Sequence, residues 1–194
     1  MTDAITNVMD GTHLYPTQPV NPSDIRYERY IDESQLQLMN QLIQQDLSEP
    51  YSIYTYRYFL HTYPNLSILA MYNSQCIGCI IGSINTDNDN NVRGYIGMLT
   101  VNKLYRKQNI GITLVKLCIQ QMIEHYSVQY IMLEAESENH KAMKLYEKLG
   151  FIRDRILYKY YLNGSDAYRL KLWLTNINEN QQRFYQTSDE QCGS

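Results

Sequence analysis

The sequence predicts a single mixed α/β domain, α+β in the order of its elements, and three observations predict it. First, the nearly continuous apolar run Tyr95–Val101 reads as a strand buried on both faces. It leads through a short polar loop into an amphipathic segment, Gly111–His125. Second, strand-like and helix-like periods keep alternating through the second half of the chain. Third, 194 residues with 44% hydrophobic and 19% charged side chains are enough for one full core and marginal for two.

Taken in order, residues 1–23 mix Gly, Pro, Thr, Asn and Asp without periodicity and read as a mobile tail. Ile25–Tyr30 alternates like a first strand. Ser34 is the expected N-cap of an amphipathic helix through Asp46, and a second short helix ends near Thr62. Leu66–Tyr72 and Cys76–Thr86 are strand-like, with a hairpin turn at Asn73-Ser74. The tract Asp87–Asn91 reads as a solvated loop.

In Gly111–Met122, Leu114, Val115, Cys118, Ile119 and Met122 fall on one arc of a helix, with Thr113, Lys116, Gln120 and Glu124 opposite. Gln129–Glu136 is another strand. Asn139–Leu149 is a helix ended by Gly150 at C′. Phe151–Leu162 and Ala167–Leu174 read as strands joined by the turn Asn163-Gly164-Ser165-Asp166. The expected domain is thus 24–175, with a polar tail over 176–194.

Composition excludes several classes. A net charge of −3 argues against a general nucleic-acid coat. No apolar run is long enough to span a membrane, and the N-terminus lacks the charge and hydropathy order of a signal peptide, so the expected location is cytoplasmic, with a nuclear pool allowed. Cys76 and Cys79 form a C-x-x-C, but strand alternation sends positions three apart to opposite faces. No second Cys or His pair has zinc spacing, so these read as reduced structural thiols and no metal is expected.

The loop Arg106–Ile112 precedes a helix N-terminus, where orphan N–H groups and the helix dipole favour anions. Arg106 and Lys107 add positive charge. Neither a Walker A nor a G-x-G-x-x-G pattern is present, which disfavours a nucleotide-binding module. The spacing resembles the R/Q-x-x-G-x-G/A loop of the GNAT acetyltransferases, with Arg106 first, Gly111 last and Asn109 where the family prefers glycine. Asn tolerates positive φ better than most residues. About 30 residues further on, Asn139–Phe151 resembles the family's N-x-x-A-x-x-L-Y-x-x-x-G-F segment. On a helix Asn139 and Tyr146 lie nearly on one line, about 10 Å apart along the axis, with Ala142, Leu145 and Leu149 flanking it inward.

The resemblance implies a GNAT fold. That fold has a central, mostly antiparallel sheet of about seven strands, splayed at an acetyl-CoA site and flanked by about four helices. It implies that backbone groups of Met98, Leu99 and Val101 hold the pantetheine, and that Arg106, Lys107, Gln108, Asn109, Gly111 and Ile112 cradle the pyrophosphate. Asn139 and Tyr146 complete the cofactor contacts. Within the family, Glu49–Leu60 and Leu157–Trp173 resemble the catalytic subunits of the NatC branch of N-terminal acetyltransferases, the likeness covering residues 25–175.

The chemistry needs a neutral amine and a proton for the departing thiolate. An α-amine has a pKa near about 8, so a modest base suffices. On a strand, Met132, Glu134 and Glu136 share one face, with the two carboxylates about 7 Å apart. Spacing alone leaves open whether Glu134 is a base or the partner of a nearby Lys or Arg. The resemblance favours Glu134 as base, Asn139 as a positioning group and Tyr146 as acid. Cys118, on a buried helical face, is not expected to act as a nucleophile.

For substrate binding, the resemblance implies that Leu47, Glu49, Tyr51, Tyr160 and Tyr161 form a slot for Met followed by a large apolar residue. It further implies a large auxiliary subunit, a small Sm-like one, and nascent chains met near ribosomes. Two other classes stay open: a GNAT acting on lysine or a small amine, and a non-catalytic acyl-CoA-binding regulatory module.

Overall fold

The computed structural model describes residues 6–10, 13–46 and 52–174. In chain order these form β1 (Thr6–Asp10), β2 (His13–Thr17), β3 (Arg26–Arg29), α1 (Glu33–Asp46), α2 (Ile53–Thr62), β4 (Ser67–Tyr72), β5 (Gln75–Thr86) and β6 (Val92–Val101). Then come α3 (Ile110–Tyr126), β7 (Tyr130–Glu136), α4 (His140–Lys148), β8 (Ile152–Leu157) and β9 (Ala167–Trp173). Seven strands make one sheet in the order β3-β4-β5-β6-β7-β9-β8. All the ladders described are antiparallel except β6 with β7. The chain divides into two compact units, residues 1–83 with 96–121 and residues 84–95 with 122–194, and β5 and β6 contribute to both.

In the first unit, α1 and α2 bury their apolar stripes in a cluster that includes Met39, Ile43, Tyr56, Leu60, Leu69 and Met98. Each fully buried aliphatic side chain of this size contributes about 1.5–3 kcal/mol. The α1 cap is Asp32 rather than Ser34. Its Oδ1 accepts from Ser34 N at 2.9 Å and Ser34 Oγ at 2.5 Å, because a carboxylate reaches the first-turn donors from the preceding position. Ser52 caps α2, accepting from Thr55 N at 3.2 Å.

The predicted inner arc of α3 is buried throughout, from Leu114 to Met122. Residues 6–10 and 13–17, expected as tail, pair as a two-stranded antiparallel hairpin. The strand β6 differs from expectation in another way: Ile96, Met98 and Thr100 are buried, whereas Tyr95, Leu99 and Val101 are only half-buried, so one face is open rather than both closed.

The opposite-face placement expected for Cys76 and Cys79 is corrected, while both are free, buried thiols as expected. The β4–β5 ladder pairs Ala70 with Gly78 but Met71 with Cys76, so Ile77 is an extra, bulged residue. That bulge returns Cys76 and Cys79 to one face, where both are buried in the same cluster. A hydrogen bond with Cys79 is the main cause holding the Cys76 thiol below its ordinary value.

In the second unit, Gly94 sits where an added Cβ would lie 2.5 Å from Met122 Sδ and 3.0 Å from Ile131 Cγ1, so only glycine lets the end of α3 approach this closely. The strand β8 ends at Leu157, not Leu162. Lys159 takes φ 49° and its N–H bonds Asp166 Oδ1 at 2.7 Å, which turns the chain early and makes residues 158–166 a connecting loop.

Candidate functional site

The loop after β6 belongs to the first unit. Lys107 and Asn109 take φ 65° and 60°, so both bracket Gln108 in the left-handed region. Asn109 thereby adopts the backbone that glycine would supply most easily. Its carbonyl accepts from Thr113 N at 2.9 Å, the first bond of α3. The N–H groups of Ile110, Gly111 and Ile112 precede that bond and form the donor end of the helix.

Two side chains of the loop are turned elsewhere. Arg106 Nε donates to Val101 O at 2.9 Å, tying the loop to the end of β6. The Gln108 amide accepts from Val20 N and donates to Gln18 O, both at 2.9 Å, so it fastens the N-terminal segment as a strand neighbour would. Sequence periodicity carries no signal for that contact, since the partners are about 90 residues apart. Of the expected pantetheine holders, Met98 is buried, Leu99 and Val101 are half-buried, and the Val101 carbonyl already serves Arg106.

The second unit holds Glu134, Asn139, Tyr146, Tyr160 and Tyr161. The ladder between β6 and β7 joins Arg93 to Tyr130, Gly94 to Ile131 and Tyr95 to Met132. Glu134 lies further along β7 and faces Arg169 across the β7–β9 ladder. Arg169 Nε donates to Glu134 Oε1 at 2.8 Å, with the carboxylate side chain 5% exposed. Glu136 is engaged differently: its Oε1 accepts from Ser165 Oγ at 2.7 Å and Asn163 Nδ2 at 3.3 Å, anchoring the 158–166 loop.

Asn139 caps α4, its Oδ1 accepting from Ala142 N at 3.1 Å, and is itself exposed. The buried line of α4 is Met143 and Tyr146, followed by Leu149, rather than Ala142 and Leu145, which are only half-buried. The helix ends in a Schellman cap: Gly150 takes φ 90°, Gly150 N bonds Glu147 O, and Phe151 N bonds Tyr146 O, each at 3.0 Å. The hydrophobic contact that accompanies such a cap is Tyr146 against Phe151, edge to face at 5.5 Å. The Y-x-x-x-G-F spacing therefore has a mechanical reason.

Tyr160 and Tyr161 meet edge to face at 5.3 Å in the 158–166 loop. Leu47, Glu49 and Tyr51 lie outside the described residues. Burial pushes the Cys118 thiol up to about 12, which keeps it protonated.

Residues 36–151 match the model of the acetyltransferase (GNAT) family. The chain is 49% identical over 164 residues to N-alpha-acetyltransferase 30 of Xenopus laevis, covering 84% of this chain and 59% of that protein. It is 47% identical over 149 residues to N-alpha-acetyltransferase MAK3 of Arabidopsis thaliana, 77% of each.

The chain belongs to the GNAT acetyltransferase family.

The GNAT sheet and helices also superpose on a chain of a solved NatC complex bound to Gag peptide and CoA. The TM-score is 0.75 at 43% identity, over 78% of this chain and 99% of that one. The chain spans less than two thirds of the Xenopus GNAT protein's own length.

Proposed function

We propose that this chain is the catalytic subunit of a NatC-type N-terminal acetyltransferase. It moves acetyl from acetyl-CoA to the N-terminal amine of proteins that begin with Met followed by a large apolar residue such as Leu, Ile or Phe. The observation that supports the reading is Asn109 at φ 60°, the left-handed backbone a glycine would take most easily, at the one motif position where the sequence departs from glycine. The donor end of α3, with Lys107 beside it, suits a pyrophosphate. The NatC assignment is supported by the 43% identity to a protein solved as part of the NatC complex with a peptide and CoA.

In this reading the neutral amine attacks the thioester carbonyl directly. Nitrogen loses its proton to Glu134, directly or through one water, as the tetrahedral intermediate forms. That intermediate collapses by breaking the C–S bond, and the Tyr146 hydroxyl protonates the sulfur. The net change moves acetyl from sulfur to nitrogen and one proton from nitrogen to sulfur; Glu134 then gives up its proton and Tyr146 regains one through solvent, with no covalent enzyme intermediate. Tyr160 and Tyr161 contribute to selecting the first two residues. A large auxiliary subunit and a small Sm-like one bring the enzyme to nascent chains at cytoplasmic ribosomes.

Glu134→Gln and Tyr146→Phe test the chemistry. Each is expected to lower kcat by about 100-fold or more while the CoA dissociation constant stays within about 3-fold. Undiminished turnover in either variant contradicts its assigned role. A wild-type chain that binds CoA but acetylates no amine is instead a binding module.

A further inference from the structure

We infer that Arg169 is a positioning residue for Glu134, holding one carboxylate oxygen so that the other faces the amine. This rests on the reading of Glu134 as the base. Four observations carry it.

The two residues are directly opposed in the β7–β9 ladder, so backbone register, not chance rotamers, brings them together. The contact is a charge-assisted bond of 2.8 Å from Nε to Oε1, and the side chains are 27% and 5% exposed, so water screens the pair far less than a surface pair. A sheltered carboxylate of this kind needs a partner to be retained at all. Among the described residues, Glu134 Oε2 takes no hydrogen bond, which leaves that oxygen for a proton.

The neighbouring cations are committed elsewhere. Lys171 lies on the same face of β9, but its Nζ is 3.3 Å from Asp154 Oδ1 and sits over the rings of Tyr130 and Trp173 at 5.2 and 5.4 Å. Arg155 is opposite Arg169 in the β8–β9 ladder and pairs with Asp154 at 3.4 Å. The two carboxylates of β7 thus have separate duties. Glu136 ties down the 158–166 loop through Ser165 and Asn163, while Glu134 is held by a single donor at one oxygen. A base aimed in this way needs no reorientation when the amine arrives, and an error of about 1 Å in such placement costs about 100-fold in rate.

The test is a double-mutant cycle on the full chain, with acetyl-CoA varied at a saturating concentration of a Met-Leu peptide. Arg169→Gln is expected to lower kcat about 10- to 100-fold with KM for acetyl-CoA within about 2-fold of wild type. Arg169→Lys, which keeps the charge and one donor, recovers part of that loss. In the Glu134→Gln background, Arg169→Gln adds less than about 2-fold, because there is no longer a base to aim.

Equal losses from Arg169→Gln in both backgrounds overturn the inference, since Arg169 then acts on its own. Normal kcat in Arg169→Gln, with Glu134→Gln impaired, overturns it and leaves the base intact. Normal turnover in Glu134→Gln removes the base and the positioning role together. If Arg169→Gln melts before assay temperature, Arg169→Lys carries the comparison: a folded Lys variant with wild-type kcat and the same fall as wild type on adding Glu134→Gln supports a simple charge requirement and overturns a role for the Nε geometry.

Discussion

Tyr146 and Phe151 meet edge to face at 5.5 Å across the Schellman cap that closes α4, with Gly150 at φ 90° between them. The cap fixes where the last turn of the helix points, and hence where the Tyr146 ring stands. Gly150→Ala places a Cβ in the left-handed region and is expected to cost about 1–2 kcal/mol of stability by denaturant titration. Because the strain acts on the Tyr146 turn, kcat falls more than CoA affinity does. Unchanged stability contradicts this account of the cap.

Asn109 provides a second check. Asn109→Gly removes the left-handed penalty and keeps the backbone path, so the CoA dissociation constant by calorimetry stays within about 3-fold or tightens. Asn109→Val, β-branched at positive φ, weakens binding by about 10-fold or more. Loss of CoA binding in the glycine variant contradicts the account of Asn109 as a stand-in for glycine, and undiminished binding in the valine variant contradicts a role for the loop.

Close packing at Gly94 predicts coupling with Met122. Gly94→Ala pushes a Cβ to 2.5 Å from Met122 Sδ and should cost about 1–3 kcal/mol by overpacking. In a Met122→Ala background the same change costs less, because the clashing sulfur is gone. Additive losses contradict the contact.

The α1–α2 pair predicts an acid limb of stability. Glu33 Oε1 accepts from Arg57 Nε at 3.1 Å and lies 3.3 Å from His61 Nε2. The Arg57 hydrogen bond is the main cause holding this carboxyl below its ordinary 4.5. A folded value below the unfolded one means that the stabilisation is present above 4.5 and is lost as pH falls through the lower, folded value. Glu33→Gln should therefore melt below wild type at pH 7, and the gap should close under acid. A gap that persists unchanged at low pH contradicts the pairing.

Much of this was legible in one dimension. The α3 face from Leu114 to Met122, the αL cap at Gly150 and the loop from Arg106 to Gly111 follow from short spacings, because helices and caps are set within a few residues. What escaped was set by register. Cys76 and Cys79 share a face only because Ile77 bulges against β4, and Glu134 meets Arg169 only because β7 and β9 align 35 residues apart. The tilt of Gln108 towards Gln18 and Val20, and the Asp32 cap ahead of Ser34, likewise depend on which of several capable side chains the fold brings into reach. The local motif named the family; the partners of its carboxylates required three dimensions.

The most direct test of the account is acetylation of a peptide panel by this chain with acetyl-CoA, assayed alone and with candidate auxiliary subunits. Peptides beginning Met-Leu, peptides beginning Ser-Glu, and peptides with a blocked N-terminus and an internal lysine are compared by kcat/KM. The account predicts that Met-Leu is preferred by about 10-fold or more over both. Preference for Ser-Glu or for the internal lysine contradicts it.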